Sequence, residues 1–415
     1  MPENNDLDAA HDYREQLQAR NYRPVNVSPE ILINLTNHLK TVFPGQFNEE
    51  KSPWELLSDF LIEKDIEEIT LAEAAELVLT EIKDKEHPLY RMAKDSKFTK
   101  YDSLFSSDLL EYIENIKVAC KDLNISVRDG VSIGFNNEEA LKAEQQPVWL
   151  TESSVINISE SLYIILNRVS KLLAKSISFE RLSEDSGVIS LNIEKHKKKI
   201  LNDIELQKEW ELFFTDCAYD TDNPLLGNVV VVSDEFSQAC YSDIMESMTY
   251  FILGHEFGHH ALEHSLGGTS EKSVDESLNM EFDADLFACK ISAHIAKSDT
   301  KDNYFLQSNL GAFFALNILN LIRYSYQIVK NGKVSDSETP SDSHPHIKDR
   351  IEKIYQFIET SENHSNKKFA TIALHNTMFD LLEFIWGNTR NNLLRMHIAG
   401  CAPKDRSKKN WLPGV

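Results

Sequence analysis

The stretch from Tyr250 to His264, YFILGHEFGHHALEH, limits what this chain can fold into more than any other part of it. Met245, Met248, Phe251, Ile252 and Leu262 recur with the period of a buried helix. On that helix His255 and His259 stand one turn apart on one face, where their ring nitrogens can converge on a single tetrahedral Zn²⁺. Glu256, one residue along, leans over the open coordination position, as an H-E-x-x-H motif requires. A buried helix does not turn two His and a Glu inward without something for them to bind; the competing reading is a surface helix rich in His. Gly254 and Gly258 each cost about 1 kcal/mol relative to Ala in a helix interior, so they predict a close approach by another backbone.

Zn²⁺ needs a third protein ligand. A metzincin would have Gly at position 262 and His at position 265, where this chain has Leu262 and Ser265; His260 and His264 lie off the face shared by His255 and His259. A second helix offers the alternative. Ser273-Val274-Asp275-Glu276 has the form of a capping box and opens a run containing Glu281-Phe282-Asp283-Ala284-Asp285-Leu286-Phe287-Ala288. Ala284 and Ala288 are small enough to let this helix lie against the first, bringing Glu281 to the metal as third ligand. Asp285, four residues on, would then accept the outer N–H of one ligand His. Taken alone, the two acids would read as a solvated helix face.

The pattern HEFGH followed by E-x-x-A-D resembles the gluzincin arrangement of zinc peptidases. Ser343-His344-Pro345 through Arg350-Ile351 resembles the H-P-x-x-x-x-R-I element of the CAAX-prenyl-peptidase and HtpX family. The metal motif is also similar to that of the soluble Lit-type phage-exclusion peptidases, and E-x-x-A-D-x-F-A resembles the ImmA/IrrE regulators. The likeness covers Met248 to Ile351. It implies a core of a small sheet plus active-site helices, a role for His344 in holding the oxyanion, and Arg350 tying its loop to an acidic group behind the ligands.

No apolar stretch approaches the 18 residues of a membrane span; Gly311 to Ile322 is interrupted by Asn317 and Asn320 and fits a core helix. With 415 residues, 41% of them hydrophobic, the chain can build real cores. A formal net charge of −23 argues against a general nucleic-acid binder. The five Cys, at 120, 217, 240, 289 and 401, show no C-x-x-C spacing, and with an acidic amino terminus that lacks signal-peptide form they suggest a reducing cytoplasm.

Residues 1–27 read as a disordered lead-in. Residues 28–124 read as a helical region, with starts at Ser28-Pro29, Ser52-Pro53-Trp54-Glu55 and Thr70-Leu71-Ala72-Glu73, the last two being capping boxes, and a helix from about Asp108 to Leu123. Residues 125–365 form the expected peptidase core, and 366–415 a helical tail. Within the core, Ile125 to Phe135 predicts a hairpin turning at Asp129-Gly130, and Gly227 to Val232 a buried strand supporting the metal helix, with a sheet edge open to an extended peptide. Helices are expected over about Glu160–Ala174 and Asn309–Val329, and the turn-rich Asp220 to Pro224 is expected to border the cleft. The fold expected is α+β, mostly helical. The function expected is a soluble metalloendopeptidase with one Zn²⁺ per chain, acting on a protein or peptide, with Glu256 as base. The alternative is a zinc-binding regulatory or phage-defence module, latent until a partner triggers it through the helical amino-terminal region. Neither nucleic-acid binding nor membrane insertion is expected.

Overall fold

The computed structural model describes residues 5–20, 23–42, 51–136, 141–181, 187–220, 230–264, 273–298, 303–334, 345–361 and 365–404. The chain opens with helix α1 (Asn5–Gln18), strand β1 (Asn26–Val27), α2 (Pro29–Val42), α3 (Pro53–Glu63), β2 (Ile69–Thr70), α4 (Leu71–Glu81), α5 (Pro88–Ser96) and α6 (Ser106–Asp122). Strands β3 (Val131–Asn136), β4 (Ala143–Pro147) and β5 (Ser154–Ser159) lead into α7 (Glu160–Ser176) and the two short strands β6 (Phe179–Arg181) and β7 (Gly187–Ile189). Eight more helices follow: α8 (Ile193–Asn202), α9 (Ile204–Tyr219), α10 (Glu235–Ala261), α11 (Val274–Ser298), α12 (Tyr304–Gln307), α13 (Leu310–Asn331), α14 (Ile347–Ser361) and α15 (Ser365–Ile398). The fold is α+β and mostly helical. β1 pairs antiparallel with β2, β6 antiparallel with β7, and the three-stranded sheet has the order β3-β5-β4.

The chain divides into two compact units. The first comprises Met1–Glu114, Asp129–Asn137 and Gln146–Asn157. Its core joins Val27, Leu32, Leu57, Leu61, Leu71, Val78 and Leu89. The boxes at Ser52 and Thr70 form as the sequence predicts: each hydroxyl accepts the N–H of the Glu three residues on, whose carboxylate accepts the cap N–H in return. The amino terminus differs from the expected lead-in, because residues 5–18 are helical and anchored. Arg14, 1% exposed, donates to Asp102 Oδ2 at 2.9 Å and to the Ile133 carbonyl, while Gln18 Nε2 donates to Asp102 Oδ1 at 3.1 Å. A charged side chain that finds its partner 88 positions away leaves no local pattern for a sequence reading to find.

The second unit holds Asn115–Arg128, Glu138–Gln145 and Ile158–Val415, and α15, in the expected helical tail, lies within it. Here α10 is the central helix, buried on nearly every side from Ile244 to Gly258, with α7, α11 and α13 against it. Asp234 caps its start, accepting the Ser237 N–H at 2.9 Å.

Two strand expectations are corrected. Ile125 and Val127 lie in coil: Asn124 takes φ 53° and the Ile125 N–H closes onto the Cys120 carbonyl at 2.8 Å, so the first arm of the expected hairpin is used to end α6. Val230 to Val232 form no strand; Val230 is buried, Val231 is 66% exposed, and the segment leads into α10 with Gln238 Nε2 bound to the Val232 carbonyl. Gly227 to Val229, and residues 221–224 of the expected cleft-bordering loop, lie outside the described residues.

Candidate metal centre

The centre is built on α10 and α11. A Cβ added to Gly254 would lie 3.2 Å from the Cα of Ala288, and one added to Gly258 would lie 3.2 Å from the Cα of Ala284. The two glycines of one helix therefore face the two alanines of the other, and the backbones meet where the sequence predicts. On α11 the Ser273–Glu276 capping box is present, each residue's N–H bound by the other's side chain at 2.9 and 3.2 Å.

This approach brings His255, His259 and Glu281 together, and among the described residues they form the group able to hold a metal ion. The Nε2 atoms of the two imidazoles are 3.2 Å apart, and the Glu281 carboxylate straddles them, Oε2 lying 3.4 Å from His255 Nε2 and Oε1 3.4 Å from His259 Nε2. Two donors bound to a tetrahedral ion at 2.0–2.1 Å stand about 3.3 Å from each other, a spacing the two imidazole nitrogens already have, and the ligand atoms of all three residues lie within 4.8 Å of one another, close enough to share one cation. The charge balance points the same way. Burial opposes the charged form of His255, yet Asp285 and Glu281 outweigh it and lift the imidazole to about 10. The carboxylates thus call for positive charge where the imidazole nitrogens meet, at the carbonyl end of α10, where the helix dipole favours a cation as well.

Behind the cluster the first His is braced. His255 Nδ1 donates to Asp285 Oδ1 at 2.9 Å, so Nε2 is the nitrogen turned toward Glu281 and the one that would offer its lone pair to a bound cation. Arg350, from the first turn of α14, grips Asp285 with two bonds, Nε to Oδ2 at 2.7 Å and Nη2 to Oδ1 at 2.6 Å. All three are buried. Burial alone would raise Asp285, but the Arg350 guanidinium and His255 hold its carboxyl below the usual range.

Glu256 is 3% exposed, and burial raises its carboxyl above the ordinary value against the opposing pull of His255 and His259. Its carboxylate accepts the backbone N–H of Gln145 in β4. His260 faces away from the cluster: its Nε2 donates to the Arg128 carbonyl at 3.0 Å, and Arg128 Nη2 donates to the His260 carbonyl at 2.7 Å. His344 lies outside the described residues. The sequence reading missed Gln145, whose contact runs through a backbone N–H that any residue supplies, and it set His264 aside although that ring reaches the outer nitrogen of His259.

Two helices thus present the two-imidazole, one-carboxylate donor set of a mononuclear metal site, with a buried glutamate beside it. Residues 205–373 match the model of a peptidase family, Peptidase U49, and the matched stretch runs from α9 into α15, containing every member of the cluster together with Arg350. That likeness supports a peptidase. Neither a curated protein nor a solved structure matches the chain. Among the described residues no helix is long and apolar enough to cross a membrane.

Proposed function

We propose that the protein is a zinc-dependent metalloendopeptidase that hydrolyses peptide bonds of a protein substrate. The observation that carries the reading is the convergence of His255 Nε2, His259 Nε2 and the Glu281 carboxylate, whose ligand atoms lie within 4.8 Å of one another. Two imidazoles and one carboxylate suit zinc and leave a position for water and substrate. When bound, the ion supplies a Lewis acid that acidifies water and polarises a carbonyl.

The chain's own residues do the rest. Glu256 accepts a proton from the attacking water and passes it to the leaving nitrogen. Its burial raises its hold on that proton, which suits both halves of the transfer, and the Gln145 N–H steadies the carboxylate. Arg350 orients Asp285, and Asp285 orients His255. His344 is the proposed donor to the oxyanion, on the strength of its place in the His-Pro element. Five free cysteines, four of them buried, support a reducing compartment.

Glu256→Gln preserves shape while removing the base, so it should retain zinc and lower turnover by about 10²–10⁴-fold. Metal analysis of the purified variant, with detection of new protein termini beside the unaltered chain, reads both quantities. Undiminished cleavage by the variant would sink the mechanism.

A further inference from the structure

The two imidazoles of the candidate centre are braced in different ways. Asp285 and Arg350 hold His255 from other helices. His259 is met from its own chain, five residues on, by a ring that helical geometry alone would carry off its face. The end of α10 brings it back: the Leu262 N–H bonds to the Gly258 carbonyl at 2.9 Å, Glu263 takes φ 60°, and the His264 N–H closes onto the His259 carbonyl at 3.0 Å. This six-to-one closure is the usual glycine-type helix stop, here made without glycine. A glutamate in the left-handed region is strained, so the turn is held by what it achieves. The turn sets residue 264 over residue 259, with the rings edge-on, 5.1 Å apart at 67°, and their Nδ1 atoms 2.9 Å apart.

We infer that His264 is the positioning residue of His259, holding the ring through its Nδ1 so that Nε2 is presented to the metal; this rests on the zinc reading above. Of two Nδ1 atoms at hydrogen-bonding distance one donates and the other accepts. His259 Nε2 faces His255 Nε2 and Glu281, so its lone pair belongs there and its proton belongs on Nδ1. His264 Nδ1 is then the acceptor. A ligand whose outer nitrogen loses its acceptor keeps its place in the chain but loses orientation and basicity, and metal affinity falls about 10–100-fold.

The test is a zinc titration against a chromophoric chelator, together with the absorption spectrum of the cobalt-substituted protein, on the full chain. His264→Ala should weaken zinc about 10–100-fold and alter the cobalt spectrum. His264→Asp, which restores an acceptor, should recover much of that loss. Glu263→Gly, which relieves the left-handed residue and keeps the turn, should bind zinc as the unaltered chain does. Unchanged affinity in His264→Ala, or an equal loss in the Ala and Asp variants, overturns the role of His264. An unaltered chain that binds zinc no better than His255→Ala overturns the metal reading itself.

Discussion

At the scale of single residues, Asp285 joins the His255 imidazole to the rest of the protein, because one carboxylate accepts from both His255 and Arg350. Asp285→Asn keeps the shape but removes the charge that faces a buried guanidinium. Zinc affinity is expected to fall about 10–100-fold in that variant and to stay unchanged in the exposed neighbour Asp283→Asn, both read by chelator competition. Equal effects at the two positions would remove any particular role of Asp285 in holding His255. The shared face of His255 and His259, and that of Glu281 and Asp285, was legible because helical spacing places the side chains of one helix without reference to anything distant. His264 was not, because the turn that returns it depends on Glu263 at φ 60°, a conformation that a glycine would have advertised and a glutamate hides.

At the scale of elements, the contact between α10 and α11 decides whether the three donors meet. Gly258 sits against Ala284, which lies three residues after Glu281 and immediately before Asp285, with no room for a branched side chain. Gly258→Val should lower stability by about 1–3 kcal/mol in denaturant unfolding and weaken zinc in the same protein, since the wedge moves the helix that carries Glu281. Retained affinity would show that the helices adjust without separating. The glycines and alanines were readable as a close-packed pair because small residues in mid-helix call for a neighbour. Strands were read less well. The β-branched run at Val230 to Val232 has strand composition but leads into a helix, since strand propensity acts only where another strand offers its hydrogen bonds.

At the scale of the whole molecule, each unit carries a buried ionisable group whose removal or titration should be felt throughout that unit. In the first, Arg14→Ala leaves Asp102 charged and unmatched in the core; a loss of about 3–5 kcal/mol is expected in denaturant unfolding, larger than for an Arg14→Ala, Asp102→Ala double variant that removes both charges. A loss under 1 kcal/mol would mean that water replaces the guanidinium (~1 kcal/mol being the range of exposed pairs). In the second, His375 is 1% exposed, with Nε2 donating to the Ser308 carbonyl at 2.8 Å and Phe313 and Tyr355 against its ring. Burial lowers it from 6.5 to about 4. The unfolded chain therefore takes the proton first: stability from this group is full above its ordinary value of 6.5 and declines as pH falls toward about 4. The decline amounts to no more than about 3 kcal/mol. Melting temperature followed across that window should fall with acid, and His375→Phe should flatten the slope; an identical slope in the variant would assign the acid sensitivity elsewhere.

Sequence by itself determined what is periodic or contiguous. The H-E-x-x-H helix, the capped helix bearing Glu281 and Asp285, the boxes at Ser52, Thr70 and Ser273, and the mostly helical character all depend on side chains within a turn or two of one another, where backbone geometry supplies the third dimension. Tertiary structure alone decided which distant partner other polar groups receive: Asp102 for Arg14, the Gln145 backbone for Glu256. Those pairings arise because burial makes an unmatched charge or hydrogen-bonding group expensive, and that cost selects a partner by distance in space, which the order of residues along the chain does not encode.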